Sequence, residues 1–352
     1  MDITLHPSAE QANFAVSILR ERNCRLLFTV NEWGIDTKGI FHEYCNDNKI
    51  IHINWCVDDP FYERVMLRSK FIPSPFRIDF VSDRDYVDAM RTEGYNAHFL
   101  PLGVDPQLYH PTGKEYERDC AFVGNSYLAQ VDEFSRGHET FLDTMAPFLA
   151  DCLQQYLRDS SVDIGSVIGE HVKTLSLPSE LSFEKATFIA KHFAGYLFRK
   201  QVVSALIEGV PGFELYGDDG WQRLFKHIKV NKVRYGNTLR DVYASTRVNV
   251  DINRVVIRSG FTQRVFDALA AGAFIITSAK PIVEEFFCTT GKRKEIVTFQ
   301  NGAELVDLVR YYLSHENERK AIATRGRERV GNHHTYDHRI GEMFQVLSRE
   351  LG

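Results

Sequence analysis

Strand-length apolar runs alternate with helix-patterned segments along most of this chain, and no other feature restricts its fold as much. The runs Arg25–Val30, Lys49–Val57, Arg77–Val81 and Ala97–Leu100 are short and nearly continuous in apolar character. Continuous runs of this kind belong to parallel sheets covered on both faces, whereas a half-exposed strand alternates polar with apolar. A second series comprises Asp119–Asn125, Phe213–Gly217, Arg247–Asp251 and Phe274–Thr277. At 352 residues the chain exceeds what one core usually serves, so two α/β units with strand-end loops facing a shared cleft are one candidate architecture. A single enlarged sheet would alternate in the same way.

The first unit is set at residues 1–115 and the second at 116–334. Residues 127–208 carry helical spacing with few strand signals, and are read as a helical insertion in the second unit. Pro178 breaks that stretch, with Ser179 as a candidate N-cap beyond it. A final helix over 335–352 is expected to pack back on the first unit. In a parallel sheet ligands bind beyond the carboxyl ends of the strands, which makes the loops at Asn31, Asp58 and Ser82 the functional edge of the first unit.

Composition removes several classes. The 42 basic and 47 acidic residues give a net charge of −5, which argues against a nucleic-acid partner, whose binding rests on phosphate neutralisation. The six cysteines are scattered without a CxxC pair, as in a reduced compartment. No apolar run reaches the roughly 20 residues of a membrane span, and the start lacks a secretory pattern, so a cytoplasmic location is expected.

One stretch carries most of the candidate chemistry: VDINRVVIRSGFTQRVFDALAAGAFIIT, residues 250–277. It reads as strand, loop, helix, strand. Gly260 permits close approach of a ligand to the backbone, and the first turn of the following helix offers unpaired N–H groups suited to a phosphate. Arg264 adds a charge-assisted contact to that anion, and Asp267, about a turn further on, can meet paired hydroxyls such as those of a ribose. The plain alternative is an ordinary β-loop-α-β unit with both side chains at the surface.

The run from Gly260 through Phe261, Thr262, Gln263, Arg264 and Asp267 to Gly272 resembles the nucleotide-sugar signature of GT-B glycosyltransferases, and more narrowly of the group-1-like CgeB or spore-maturation-type proteins. Four other segments sit in the family's order: Leu100–Pro106, Cys120–Asn125, Leu215–Gly217 with Trp221, and His334–Arg339. The resemblance implies an α/β GT-B fold of two Rossmann-like domains facing a cleft. It implies transfer of a sugar from a UDP-, GDP- or dTDP-linked donor to a glycan or protein acceptor, with no cofactor and no metal. Gly124, Asn125, Gly217, Ser259, Gly260, Phe261, Thr262, Gln263, Arg264 and Asp267 would then hold the donor. Backbone amides around Gly260, and a second set over Gly124–Ser126, would stabilise the departing diphosphate together with Arg264.

The sequence departs from the family at two places. The ribose carboxylate, usually Glu, is Asp267, and Ser259 stands where many retaining members place a sugar-binding Glu eight residues earlier. An inverting reaction needs a base, for which Glu32, Asp36, Asp58 and Asp59 are positioned at strand-end loops; each is equally explained as a turn or surface residue. Arg199 and Lys200 are further phosphate candidates, with surface charge the favoured reading. Asp83-Arg84-Asp85 is a D-x-D, read as a helix cap rather than a cation site, and His333, His334 and His338 are read as helix-start residues. A GT-B epimerase and a non-catalytic nucleotide- or sugar-binding module are the rival functions.

Overall fold

The computed structural model describes residues 7–61, 74–160, 162–257 and 259–350. It divides into two compact units, one running to Pro101 and regaining the chain from Gly341, the other spanning Leu102–Ile340. The division precedes residue 115 because the segment after Pro101 is bonded into the second unit. Val104 forms a parallel bridge with Thr335, and Arg339 Nε donates to Leu102 O at 2.9 Å.

The first unit contains α1 (Ala9–Glu21), β1 (Leu26–Val30), α2 (Ile40–Asp47), β2 (Ile51–Cys56), β3 (Arg77–Val81), α3 (Asp85–Thr92) and β4 (Ala97–Phe99). Its four strands lie in the order β1-β2-β3-β4, all parallel. Sequential parallel neighbours require a crossover at each step, which is the Rossmann-like pattern the apolar runs predicted. One face departs from the apolar rule. Register aligns Thr29 with Asn54 and Asp79, and Leu27 with His52 and Arg77, so the polar members of these rows share one side of the sheet. All five polar side chains are buried.

The second unit begins with β5 (Arg118–Val123). The described residues between it and β6 (Phe213–Tyr216) form α4 (Leu128–Ser135), α5 (Glu139–Arg158), α6 (Ile164–Lys173) and α7 (Phe183–Gly209). The chain breaks near Pro178 as expected, but Ser182, not Ser179, caps α7, accepting from Lys185 N at 3.2 Å. Beyond β6 come α8 (Asp219–Leu224), β7 (Val230–Asn231), α9 (Asn237–Ala244), β8 (Thr246–Asp251), α10 (Gln263–Ala270), β9 (Ile275–Ser278), α11 (Pro281–Phe286), β10 (Val297–Phe299), α12 (Gly302–Ser314) and α13 (Glu316–His333); α14 (Tyr336–Glu350) crosses into the first unit.

The second sheet is parallel in the order β10-β9-β8-β5-β6-β7. Because β8, β5 and β6 are neighbours, the loops after them emerge side by side. These loops carry Ile252–Thr262, Gly124–Tyr127 and Gly217–Asp218, which is the location topology assigns to ligands. Cys120, Phe122, Leu215, Val248, Val250 and Ile276 fill the sheet's core. α7 is buried along much of its 27 residues, and Arg199 projects from it into the interior. Among the described residues no helix is long and apolar enough to cross a membrane.

Candidate functional site

Asp251 ends β8 and organises the loop that follows. Its Oδ1 accepts from Thr262 Oγ1 at 2.7 Å and from Arg264 Nε at 2.8 Å, while Oδ2 accepts from Thr277 Oγ1 at 2.8 Å. Thr262 stands at the start of α10 without capping it, because its hydroxyl is committed to Asp251. The first N–H groups of α10 therefore have no side-chain cap, which suits them to an anion. Burial works against the charge on Arg264, but Asp251 outweighs it and holds the guanidinium firmly protonated.

Arg199 overturns the surface-charge expectation. Its side chain is 1% exposed, whereas Lys200 is exposed. One guanidinium nitrogen of Arg199 donates to Asn125 O at 2.9 Å and the other to Ile252 O at 2.5 Å. The guanidinium carbon lies 4.2 Å from the Tyr127 ring centroid and 5.7 Å from that of Phe122. No carboxylate pairs with it among the described residues, and its Nε has no partner. Burial, and then the repulsion of Arg264 and Arg254, bring its pKa down to about 10. Arg254, from the loop after β8, donates from Nε to the Tyr127 hydroxyl at 3.0 Å. Lys280 Nζ reaches into the same loop, donating to Arg254 O at 2.9 Å and to Ile257 O. The site thus gathers Arg199, Arg254, Arg264 and Lys280 around the carboxyl ends of β5 and β8.

Asp267 lies one turn along α10 and is 1% exposed. Oδ1 accepts from Gln263 Nε2 at 2.7 Å and Oδ2 from the Tyr235 hydroxyl at 2.8 Å. Burial pushes its pKa up to about 7, against the pull of these donors. Gln263 also donates to Gly103 O at 2.7 Å, fixing the helix start to the segment after Pro101. The Tyr235 ring is 65% exposed, so the hydroxyl that covers the carboxylate belongs to a surface side chain.

Other sequence candidates have different duties. Phe261 is buried against Phe266, Phe286 and Phe287 and is core. The Gly260 carbonyl accepts from Asn253 Nδ2 at 3.2 Å, and Ser259 is half-buried beside it. The second set of amides is largely committed within the protein. Gly124 N donates to Tyr216 O at 3.0 Å, Ser126 N to the Asp218 carboxylate at 3.2 Å, and Gly217 N to Asn231 O at 3.1 Å. Asn125 alone of that set keeps an amide with no partner among the described residues. Gly217 is a packing glycine, since a Cβ there would come 2.4 Å from Gly124 O and 2.6 Å from the Trp221 ring.

In the first unit the base candidates separate. Glu32 is ion-paired with Arg77, and its amide donates to Asn54 Oδ1 at 3.0 Å. Burial raises its pKa, but Arg77 and His42 outweigh that and hold the carboxyl below the usual glutamate value, which makes it a poor proton acceptor. Asp36 is 3% exposed and accepts from the amides of Lys38, Ile40 and Phe41, each at 3.0 Å, so it secures the start of α2. Asp59 closes a turn onto Phe61 N at 2.9 Å. Asp58 is exposed and accepts from Asn31 Nδ2 at 2.8 Å.

With that geometry in place, comparison with known proteins bears on much of the second unit. Residues 198–345 match the family model described as glycosyl transferase-like. That stretch is glycosyltransferase-like in sequence. No curated protein matches it in sequence. Among solved structures, HepE from Anabaena in complex with UDP-glucose is similar at TM-score 0.56 and 10% identity, covering 99% of this chain and 85% of that one. A glycosyltransferase from Rickettsia africae ESF-5 is similar at TM-score 0.51 and 11% identity, covering 97% and 81%. At such identities the likeness speaks for the fold, which is the GT-B type that the glycine-bearing run and its companion segments implied.

Within the second unit, Tyr127, Asp251, Arg254, Tyr235 and Lys280 were not singled out from sequence. Asp251 left a signal, a carboxylate closing an apolar strand before a glycine loop. Tyr127 and Tyr235 left none, because only the fold brings them to Arg199 and Asp267. The histidines near the end of α13 are engaged locally. His334 stacks on Phe286 with ring centroids 5.1 Å apart, and burial brings its pKa down to about 3; the His338 ring nitrogen bonds the Thr335 hydroxyl at 2.6 Å. Asp83 Oδ1 accepts from Asp85 N at 3.1 Å as the chain enters α3.

Proposed function

We propose that the protein moves a glycosyl group from a nucleotide sugar to an acceptor hydroxyl, with the donor held on the second unit. The observation that carries this reading is the buried Arg199, set beside Arg264 and Arg254 with backbone carbonyls and an aromatic ring for company instead of a carboxylate. A buried cation without an acidic partner is costly, and a diphosphate at the uncapped start of α10 supplies the missing charge. As the bond from the sugar carbon to the β-phosphate oxygen breaks, the electron pair leaves with the diphosphate. The guanidiniums and first-turn amides are already in place to receive that charge. This assignment uses no metal ion and no cofactor beyond the donor.

Asp267 takes the ribose in this reading, its hydroxyls replacing the Tyr235 hydroxyl on Oδ2. Asp58, the exposed carboxylate of the four base candidates, is assigned as the base if the reaction inverts. UDP is the favoured carrier because HepE, which shares the fold, is described in complex with UDP-glucose. The narrower kinship with CgeB or spore-maturation-type proteins rests on the Gly260–Gly272 run. A cytoplasmic location is supported by the six unpaired cysteines.

Calorimetry with UDP-, GDP- and dTDP-glucose, followed by product analysis with and without acceptor extract, tests the function. Binding of one donor with release of its nucleoside diphosphate is expected. Failure of all three to bind overturns the reading. Conversion of the donor to an isomer without acceptor turns it to epimerisation.

A further inference from the structure

Tyr127 is the residue on which the arginines of this site act together. Its backbone adopts φ 65°, a left-handed conformation uncommon for a bulky residue, at the junction between β5 and α4. That conformation is held in place by its neighbours: Ser126 N is bonded to the Asp218 carboxylate, and Leu128 N donates to Ser126 Oγ at 3.1 Å. The ring lies against two guanidiniums, with the Arg199 carbon 4.2 Å and the Arg254 carbon 5.0 Å from its centroid, and its hydroxyl accepts from Arg254 Nε at 3.0 Å.

We propose that Tyr127 is the resident counter-ion of this arginine cluster, a phenol that serves the guanidiniums in the free protein and yields them to the donor's diphosphate. This rests on the donor-site reading above and deepens it. Tyr127 is a positioning residue here, acting through the arginines without forming or breaking a bond to the sugar.

The charged groups facing the phenol come from three elements. They are Arg199 on α7, Arg254 in the loop after β8, and Arg264 on α10, while the Asp251 carboxylate is engaged by Arg264. His192, also on α7, is kept neutral, because burial and then Arg254 lower its pKa to about 4. Burial opposes ionisation of Tyr127, but the three guanidiniums outweigh it and bring its pKa down to about 7. A diphosphate arriving among the same arginines competes with the phenolate. The phenolate then takes one proton from solvent, so binding and proton uptake are linked.

Two measurements test this with the full chain. The first is the tyrosinate absorbance of the free protein followed against pH, for wild type and Tyr127→Phe. The second is UDP-glucose affinity over about pH 6 to pH 8.5, a ligand whose phosphates do not titrate in that range. The wild type should show a tyrosinate transition near neutrality that the variant lacks. Its affinity should weaken by up to about tenfold per pH unit above about pH 7 relative to the variant, whose remaining slope reports Asp267, which titrates in the same range. Arg254→Gln, which removes the hydrogen-bonded guanidinium but keeps the ring, should move the transition to higher pH and serves if Tyr127→Phe folds poorly. An unchanged transition in both variants, or the same pH slope with and without the phenol, overturns the proposal. A neutral-range transition in a protein that binds UDP-glucose at no pH overturns the donor reading instead, and the competition with it.

Discussion

Each unit buries an arginine inside a polar cluster, and the two are balanced in opposite ways. In the first unit Arg77 is held by two carboxylates. Its Nε and one terminal nitrogen donate to Asp79, each at 2.8 Å, and it is ion-paired with Glu32. Asn54 joins the arrangement, donating to Asp79 Oδ1 at 3.0 Å and accepting from Thr29 and from the Glu32 amide. In the second unit Arg199 has two backbone carbonyls and an aromatic ring. A closed cluster of the first kind fixes a sheet face and asks for nothing from outside. An open one of the second kind marks the place where a ligand completes the charge balance.

The largest expected effect lies in the closed cluster. Arg77→Ala leaves the buried Asp79 and the partly buried Glu32 without their cation, which should cost about 3–5 kcal/mol in chemical denaturation. A loss below about 1 kcal/mol would break the comparison, because it would show the carboxylates taking up protons or water without penalty.

The fold was largely legible because parallel strands announce themselves as continuous apolar runs, and each run named from sequence corresponds to a strand. The polar face of the first sheet was not legible. His52, Asn54, Arg77 and Asp79 sit within those runs and become partners only through the register that aligns Asn54 with Asp79. The glycine loop was readable as a phosphate-capable turn, and Arg264 was placed there by spacing. Arg199 was misread because a charged residue in a helical stretch is usually solvated, and nothing local shows that α7 is buried at that position. Glu32 and Asp36 were offered as bases on position alone, and the hydrogen bonds that occupy them are tertiary or lie outside any motif.

The next effect concerns Asp267, whose carboxyl has hydrogen-bond donors but no cation bonded to it, and so lies between the two extremes. Its folded pKa near 7 exceeds the 3.8 of an unperturbed aspartate. Between those values the folded chain keeps a proton that the unfolded chain has lost. Stability therefore falls as pH rises from about 4 to about 7 and levels off above. Relative to Asp267→Asn, the wild type should lose roughly 2–4 kcal/mol across that window, read by denaturation at a series of pH values. A constant difference between the two proteins would place Asp267 with the carboxylates of the closed cluster, ionised throughout.

The smallest effect on folding, and the one that tests the contrast most directly, belongs to Arg199→Met. Methionine keeps the apolar stem and removes a cation bonded to two backbone carbonyls, so below about pH 7, where Tyr127 is a neutral phenol, stability should change by less than about 1 kcal/mol. UDP-glucose affinity should nevertheless fall about tenfold or more, since a charge-assisted contact to the diphosphate is gone. Denaturation and calorimetry on the same preparation separate the two quantities. A stability loss as large as that of Arg77→Ala with unchanged affinity would make Arg199 a second closed-cluster arginine, and the ligand would have to be sought away from α7. Small stability change with weakened binding would establish that the buried guanidinium is kept for a partner that arrives from solution.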